Sequence, residues 1–279
     1  MSGRFEGRRV LVTGGARGQG RSHALRFARE GADVAVLDIA AGEMETVPYP
    51  LAGREELEET AALVEAEGGR SLTLVADIRS LAQMEDAARR TVEAFGGIDV
   101  LVVNAGICTF GELASMSAET WGTMIDVNLT GAFNTVRAAV PHMYGSEAGR
   151  VVATASMAGR AGWENIGHYA AAKWGLIGMI KSLALELAPR GITANVVCPS
   201  SVDTTMMKND ASYRLFRPDL ENPTLEDALP AFQSVNVIPV PYAEPDDISD
   251  AVLFLASEAA RYVTGATLSA AVGVNAKNV

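Results

Sequence analysis

The sequence predicts an α/β fold in which helices cover both faces of one doubly wound parallel sheet. Short Val-rich runs alternate with longer helical patterns along the 279 residues of the chain. The short runs are apolar without polar alternation, which is typical of strands that are buried on both faces of a parallel sheet. No repeat, low-complexity tract or linker interrupts this alternation, so we expect residues 1–279 to form a single domain.

Every predicted strand except the last is followed along the chain by a predicted helix. Strands are predicted at residues 8–14, 32–38, 71–77, 99–104, 150–156, 192–199 and 265–271. Helices are predicted at residues 21–30, 55–67, 81–95, 118–143, 168–187 and 245–257. Strands that alternate with helices in this way form parallel sheets with right-handed crossovers.

Two segments are longer than the usual connections between strands and helices, which have about 2–6 residues. One is residues 39–53, after the second predicted strand, and the other is residues 204–242, in a region that we expect to be irregular from residue 200 onwards. Long loops in compact domains are often functional. We therefore expect residues 204–242 to form a lid over a binding site.

The composition of the chain excludes several classes of protein. The formal net charge is −11, and no basic run is present to bind nucleic acid phosphates. No run of about 18 apolar residues could span a membrane, and the N-terminal charges precede no apolar stretch of signal-peptide type. The two cysteines are isolated, which favours reduced thiols and a cytoplasmic protein, and the three histidines lack metal-ligand spacing. We expect no nucleic acid, membrane or metal partner.

A glycine-rich turn, TGGARGQG at residues 13–20, follows the first predicted strand. Glycines let the backbone approach a pyrophosphate closely, and the helix that follows offers free N–H groups. Glycine-rich turns are common, so the pattern alone also fits an ordinary turn. Its position between a strand and a helix favours a dinucleotide site in a Rossmann-like fold. The cofactor-binding residues predicted in this turn are Gly14, Arg17, Gly18, Gln19 and Gly20.

Asp38 ends the second predicted strand, where a carboxylate can accept hydrogen bonds from both ribose hydroxyls of adenosine. The same charge would repel a 2′-phosphate, which predicts NAD rather than NADP as the cofactor. Two alternatives remain, because Arg17 could meet a 2′-phosphate and Asp38 could be a solvated strand end. Further cofactor contacts are expected at the ends of the third and fourth strands, from Asp77, Ile78, Asn104, Ala105 and Gly106.

Tyr169 and Lys173 are four residues apart in a predicted helix, which gives both side chains the same helix face. A nearby ammonium group lowers the pKa of a phenol. Tyr169 could then take the proton of an alcohol while a hydride moves to nicotinamide, with Ser156 holding the substrate oxygen. An isolated YxxxK pattern is usually an exposed helix face, and a loop serine is often a turn residue, so the prediction depends on the combination.

In these motifs the chain resembles the short-chain dehydrogenase/reductase family over essentially its whole length. The resemblance rests on the glycine turn and on Asp77, Asn104-Ala105-Gly106, Asn128, Ser156, Tyr169 and Lys173, in the family's order and spacing. It implies a seven-stranded parallel sheet and a tetramer or dimer, of which we expect a homotetramer. It also implies that Asn128 supports a water relay to Lys173 and so completes a catalytic tetrad. Lys173 is also expected to hold the nicotinamide ribose. Nicotinamide contacts are implied for Pro199, Val202 and Thr204.

A narrower resemblance is to the mycofactocin-coupled dehydrogenases, which include carveol-dehydrogenase-like enzymes. It rests on the stretches ARGQGRSHALRFAREGAD from residue 16, TVPYPLA from residue 46 and CPSSVDTTM from residue 198. This resemblance implies that residues 39–53 are an insertion near the cofactor adenosine. It further implies that NAD is held without free exchange and that mycofactocin accepts the electrons. A plain surface excursion at residues 39–53 is the alternative.

Three features depart from the family's pattern or stand out from it. Ser200 occupies a position where many members have glycine. Residues 269–273 lack the aspartate that often precedes the family's late glycine, which leaves the details of the subunit contacts open. Cys108 follows the Asn-Ala-Gly turn, where it could face the substrate or be a small buried residue.

The predicted lid is apolar, which suits a hydrophobic secondary alcohol such as an alicyclic or terpenoid alcohol, although the same residues could simply attach the lid to the body. They are Met206, Met207, Leu215, Phe216, Leu220 and Phe232, with Trp163 outside the lid.

We therefore expect an NAD-dependent alcohol dehydrogenase that acts on a small alcohol or ketone. Two alternatives are a freely exchanging NAD(P)H-dependent carbonyl or 3-oxoacyl reductase and a nucleotide-binding sensor without turnover. Asp38 and the insertion argue against the first, and the intact Ser156, Tyr169 and Lys173 argue against the second.

Overall fold

A seven-stranded parallel sheet with the strand order β3-β2-β1-β4-β5-β6-β7 forms the centre of the computed structural model, which describes residues 3–146 and 148–277. The predicted fold class is therefore confirmed. The strands are β1 (Arg9–Thr13), β2 (Asp33–Asp38), β3 (Ser71–Val75), β4 (Val100–Val103), β5 (Arg150–Thr154), β6 (Thr193–Pro199) and β7 (Thr267–Ala270).

Helices connect successive strands, and two further helices lie between β6 and the helix that precedes β7. They are α1 (Gly18–Arg29), α2 (Arg54–Ala66), α3 (Leu81–Phe95), α4 (Ala118–Ile125), α5 (Gly131–Ala139), α6 (Gly167–Leu187), α7 (Asp210–Phe216), α8 (Leu225–Val235) and α9 (Pro245–Ala256). Among residues 3–146 and 148–277, none of these helices has the length and apolar character needed to cross a membrane.

Alternate strand residues supply two apolar cores, one on each face of the sheet. In β1, Leu11 belongs to one core and Val10 and Val12 to the other, and all three are fully buried. Helices α3, α5 and α6 cover the first core, and α1, α2 and α9 cover the second. Because both faces of each central strand are covered, the strands need no polar alternation.

The prediction that residues 118–143 are helical is confirmed, but the segment is not one regular α-helix. The segment forms α4, a π-helical turn at Asp126–Thr130, α5 and a 3₁₀ turn at Val140–Met143. The side-chain amide of Asn128 donates to the carbonyl of Met124 at 3.1 Å. This side chain therefore competes with the backbone N–H of Asn128 for the same carbonyl. Pro141 lacks an N–H donor, which ends the α-helical pattern after α5.

The prediction that residues 200–242 are irregular is also wrong in part, because α7 and α8 lie there. Asn209 caps α7 by accepting a hydrogen bond from the N–H of Ser212 at 3.0 Å. Thr224 and Asp227 form a reciprocal capping box at the start of α8. Polar residues that are typical of loops are also typical of helix N-termini, which explains the error.

Candidate active site

Two neighbouring cavities open where the carboxyl ends of the central strands meet. The first, which we call the turn cavity, lies over the glycine turn after β1 and encloses about 970 Å³ including its open mouth. The second, the tyrosine cavity, lies over Ser156 and Tyr169 and encloses about 1620 Å³ on the same basis. The cavities adjoin each other, because several residues line both. These shared residues are Gln19, Asn104, Gly106, Thr204 and Met206.

The glycine turn forms a cradle that requires glycine. Gly14 and Gly18 have φ angles of +67° and +56°, at which other residues are strained. A Cβ atom on Gly20 would lie 1.9 Å from the carbonyl oxygen of Gly14. The 12-residue helix α1 begins at Gly18 without a side-chain cap, so its first N–H groups keep their capacity to bind an anion. The cradle therefore fits the pyrophosphate of a dinucleotide.

Asp38 lies at the end of β2 and lines the turn cavity. Its carboxylate accepts hydrogen bonds from the N–H of Ala16 at 3.1 Å and from the N–H of Ala40 at 3.3 Å. Burial raises the pKa of Asp38, and these N–H donors and the charge of Arg17 oppose the increase. The carboxylate is thus held in a fixed orientation at the edge of the cavity, where it could accept hydrogen bonds from a ribose.

Arg17 also lines the turn cavity, but its guanidinium group is already engaged by the protein. It donates to the carbonyl of Pro50 and lies 3.7 Å from Oε1 of Glu56. These contacts direct the positive charge towards residues 39–53 and α2. They weaken the alternative in which Arg17 binds a 2′-phosphate.

The segments after β3 and β4 complete the wall of the turn cavity, through Asp77, Ile78, Asn104, Ala105 and Gly106. Burial raises the pKa of Asp77, but the guanidinium of Arg79, 2.6 Å away, outweighs this effect and lowers it. The amide of Asn104 donates to the carbonyls of Thr13 at 3.1 Å and Gly14 at 3.3 Å. Asn104 therefore ties the glycine turn to the end of β4.

The tyrosine cavity brings together Asn128, Ser156, Tyr169 and Lys173. Lys173 Nζ lies 5.5 Å from the ring centroid of Tyr169 and donates to the carbonyl of Thr154 at 3.0 Å. A Cβ atom on Gly106 would lie 2.6 Å from Oδ1 of Asn128 and 3.4 Å from Nζ of Lys173. The polar groups from three elements therefore meet beside a glycine that leaves space for them.

Burial shifts the pKa values of the two ionisable groups in opposite directions. It lowers the pKa of Lys173 to about 8. It raises the pKa of Tyr169, and a hydrogen bond with Ser156 opposes the increase. Each shift favours the neutral form of its group, the phenol of Tyr169 and the amine of Lys173. Proton transfer at this site therefore does not have to disrupt a strongly stabilised ion pair.

Residues 39–53 fold back over the turn cavity, and we call this segment the insertion. Its two ends are joined by hydrogen bonds from Gly42 N–H to Ala52 O at 3.2 Å and from Leu51 N–H to Gly42 O at 2.7 Å. Tyr49 is 6% exposed, lines the cavity and accepts a hydrogen bond from the N–H of Cys108 at 3.1 Å. Sequence reasoning missed Tyr49, although an aromatic residue between two prolines in a long insertion was an available signal.

Cys108 is a small buried residue, as one of the two interpretations predicted. It also lines the tyrosine cavity, where the other interpretation placed it. Burial raises the pKa of its thiol to about 12, which makes it a neutral wall residue. No set of three or more His, Cys, Asp and Glu side chains in the described parts of the chain is arranged to hold a metal ion.

Pro199, Ser200, Val202 and Thr204 line the tyrosine cavity where the lid begins. Thr204 also reaches the glycine turn, since its Cγ2 atom lies 3.1 Å from the position of a Cβ atom on Gly18. The first residues of the segment that we predicted to be a lid therefore line both cavities.

Most of the apolar residues that we predicted for the substrate do line the tyrosine cavity, namely Trp163, Met206, Met207, Leu215 and Phe216. Leu220 and Phe232 do not. Phe232 is fully buried and packs edge-on against Phe216, with ring centroids 4.6 Å apart, so it supports the cavity wall from behind. Val235 and Val274 line the cavity without having been predicted, because no local pattern links α8 to the C-terminal residues.

Comparison with known proteins identifies the family. A family model described as short chain dehydrogenase matches residues 8–214. A (-)-trans-carveol dehydrogenase from Rhodococcus erythropolis is 44% identical over 276 residues, covering 98% of this chain and 99% of that protein.

Solved structures agree with the sequence comparison. A carveol dehydrogenase from Mycobacterium avium in complex with NAD has a TM-score of 0.96 and 45% identity, covering 98% of this chain and 99% of that one. A short chain dehydrogenase from Mycobacterium paratuberculosis bound to NAD has a TM-score of 0.86 and 34% identity, covering 96% and 97%. The predicted resemblance, including its carveol-dehydrogenase-like character, is confirmed. The chain belongs to the short-chain dehydrogenase family.

Proposed function

We propose that this protein is an NAD-dependent alcohol dehydrogenase that interconverts a hydrophobic alicyclic secondary alcohol and its ketone. The observation that carries this proposal is that the two cavities adjoin and share lining residues. A cradle suited to a pyrophosphate lies beside a mainly apolar cavity that contains Ser156, Tyr169 and Lys173. The NAD complexes of two similar structures support the choice of cofactor.

The turn cavity would bind the cofactor through the glycine turn, with Asp38 accepting hydrogen bonds from the adenosine ribose. Pro199, Val202 and Thr204 would border the nicotinamide where the cavities meet. When bound, NAD supplies the acceptor for the hydride of the alcohol. The proposed preference for NAD over NADP is supported by the half-buried carboxylate of Asp38 and by the engagement of Arg17 by Pro50 and Glu56.

Tyr169 would act as the general base in alcohol oxidation and as the general acid in ketone reduction. Ser156 would hold the substrate oxygen, since its hydroxyl interacts with the phenol of Tyr169. Lys173 would stabilise the phenolate and hold the nicotinamide ribose, and Asn128 would support the water relay to Lys173. The side chain of Asn128 is fixed by a bond from Nδ2 to the carbonyl of Ile107 at 3.0 Å.

A direct assay tests the proposed reaction. Protein loaded with NAD is mixed with (-)-trans-carveol, and formation of NADH is followed by its near-ultraviolet absorbance. We expect reduction of the bound cofactor by carveol and none by a tertiary alcohol of similar size, which has no hydrogen on the carbinol carbon. Failure of carveol and of a panel of other alicyclic secondary alcohols would contradict the proposal.

We also propose that NAD stays bound between turnovers and that mycofactocin accepts the electrons. The support is the closure of the turn cavity from two sides. The insertion is attached to Cys108, in the segment after β4, through Tyr49 and to the glycine turn through Arg17, while Thr204 borders Gly18 from the other side. Release of the cofactor would require these contacts to break.

Native mass spectrometry after gel filtration tests cofactor retention. We expect one NAD per chain to survive gel filtration, and mycofactocin to support repeated turnover without added NAD. Exchange of bound for labelled NAD within seconds would refute the proposal of tightly held NAD. It would favour the alternative of a freely exchanging NAD(P)H-dependent reductase.

We propose further that the protein is a cytoplasmic homotetramer. Both cysteines are free thiols, as expected in a reducing compartment. Large apolar side chains are exposed on neighbouring helices, with Trp121 on α4 at 43%, Phe133 on α5 at 46% and Trp174 on α6 at 53% exposure. Such exposure is typical of protein interfaces. Light scattering should give the mass of four chains, and a monomer mass would refute this assembly.

A further inference from the structure

We infer that Thr109 and His168 are positioning residues for Tyr169, and that Tyr49 couples them to the insertion over the turn cavity. This inference rests on the proposed role of Tyr169. Neither Thr109 nor His168 lines either cavity. They would act by holding the first turn of α6, which carries Tyr169, against the segment that follows β4.

The segment after β4 is held by side chains from three separate elements. Asn128 binds both backbone groups of Ile107, with its Oδ1 atom 3.3 Å from the N–H nitrogen and its Nδ2 atom 3.0 Å from the carbonyl oxygen. Tyr49 accepts from the N–H of Cys108 at 3.1 Å. Thr109 Oγ1 lies 2.7 Å from Nε2 of His168. Three consecutive residues are therefore tied to the π-helical turn, the insertion and α6.

The bond between Thr109 and His168 has particular importance because α6 lacks a side-chain cap. The residue before the helix, Ile166, makes no capping hydrogen bond. His168 is fully buried and Thr109 is 4% exposed, so water cannot replace this bond. Burial lowers the pKa of His168, which keeps the ring neutral. Loss of the Thr109 hydroxyl would leave a buried ring nitrogen without its partner at the start of the catalytic helix.

The link to the insertion follows from sequence adjacency. Cys108, whose N–H is bound by Tyr49, directly precedes Thr109, and His168 directly precedes Tyr169. If the insertion opens, the buried N–H of Cys108 loses its acceptor, and the segment that holds His168 loses one of its three ties. Closure of the insertion over the cofactor and alignment of the catalytic phenol should therefore stabilise each other.

The test is the single-turnover reduction of bound NAD by (-)-trans-carveol, with hydrogen or deuterium on the carbinol carbon and saturating free NAD. Thr109→Val removes the hydroxyl and keeps the shape of the side chain. We expect a rate about tenfold lower, because misalignment of reacting groups is costly, and a larger primary isotope effect. Thr109→Ser, which keeps a hydroxyl, should restore both values.

Thr91→Val is the matched control, since Thr91 is equally buried and its hydroxyl binds Ala87 O at 2.8 Å within α3. Equal losses of the single-turnover rate in Thr91→Val and Thr109→Val would show that the effect is general destabilisation of the fold. That result would overturn the inference. A wild-type rate and isotope effect in Thr109→Val would also overturn it.

The coupling to the insertion is tested by combining Tyr49→Phe with Thr109→Val. We expect the double variant to be only slightly slower than the slower single variant, because both substitutions loosen the same segment. If the fold losses of rate in the two single variants multiply in the double variant, the coupling is refuted.

Tyr169→Phe separates this inference from the proposed function. If that variant is inactive while Thr109→Val is unaffected, only the positioning inference fails, whereas an active Tyr169→Phe variant refutes the proposed role itself.

Discussion

At the scale of single residues, Tyr169 and Lys173 carry the proton of the proposed reaction, and burial opposes the charged form of each. Burial raises the pKa of Tyr169 and lowers that of Lys173 to about 8. The hydroxyl of Ser156 favours the phenolate needed for alcohol oxidation, and we propose that the ammonium group of Lys173, 5.5 Å from the ring centroid, favours it too. Sequence reasoning identified these residues from their spacing, but it could not reveal that Lys173 is buried and Tyr169 half-buried.

This dependence predicts the pH profile of a Lys173→Met variant. The single-turnover rate of alcohol oxidation should rise with pH, since the reaction needs deprotonated Tyr169. Without the ammonium group of Lys173, deprotonation of Tyr169 becomes harder. The rising limb of the pH–rate profile should therefore move about one pH unit or more to higher pH. Lys181→Met, an exposed position on the same helix, is the control. An unchanged limb in Lys173→Met would remove Lys173 from the tuning of Tyr169.

Asp38 gives a second prediction at this scale, because its carboxylate is the negative charge proposed to exclude a 2′-phosphate. Asp38→Ala should weaken NAD binding and reduce the preference for NAD over NADP by about tenfold or more, which corresponds to the loss of one or two hydrogen bonds and a repulsion. The ratio of dissociation constants measures this preference. The same ratio in the variant and the wild type would mean that Asp38 does not contact the ribose.

At the scale of elements, the sequence identified the seven strands because each central strand is a short Val-rich run covered on both faces. It did not identify the π-helical turn, within which the side-chain amide of Asn128 donates to the carbonyl of Met124. It also missed α7 and α8, whose caps resemble loop residues. The contact between Tyr49 and Cys108 joins residues 59 positions apart, and no local pattern encodes it.

The insertion is the element whose proposed role depends most on one contact. Tyr49→Phe removes the acceptor for the buried N–H of Cys108 and leaves the ring in place. We expect NAD to dissociate about three to ten times faster, as the loss of one hydrogen bond implies. Release can be followed by trapping with excess labelled NAD. Tyr262→Phe, which changes a residue that is 88% exposed, should dissociate like the wild type. Equal release from all three proteins would show that the insertion does not retain NAD through Tyr49.

At the scale of the whole molecule, two buried histidines make stability depend on pH. Burial lowers the pKa of His23 to about 3, although Asp246 and Asn104 oppose the shift, and burial also lowers the pKa of His168. The unfolded chain, with a histidine pKa of about 6.5, then binds more protons than the folded chain. Stability is therefore lost as the pH falls below about 6.5, by up to about 1.4 kcal/mol per pH unit for each histidine.

Calorimetry in buffers of different ionisation enthalpy measures this proton uptake. Unfolding near pH 5.5 should take up about one proton per chain from His23, and the lowered pKa of His168 adds to this uptake. Replacement of the exposed His142 by Gln should change the uptake little. Unfolding without proton uptake would mean that the two buried rings are already charged in the folded protein.

Oxidation of an alcohol by NAD with Tyr169 as the base is the claim on which the molecule's proposed function depends, and single-turnover reduction of bound NAD by (-)-trans-carveol measures it. Tyr169→Phe removes only the hydroxyl, so NAD should remain bound while the rate falls by about a thousandfold. Tyr262→Phe, at the surface, should match the wild type. A Tyr169→Phe variant that reduces its bound NAD at the wild-type rate would contradict the assignment of Tyr169 as the base.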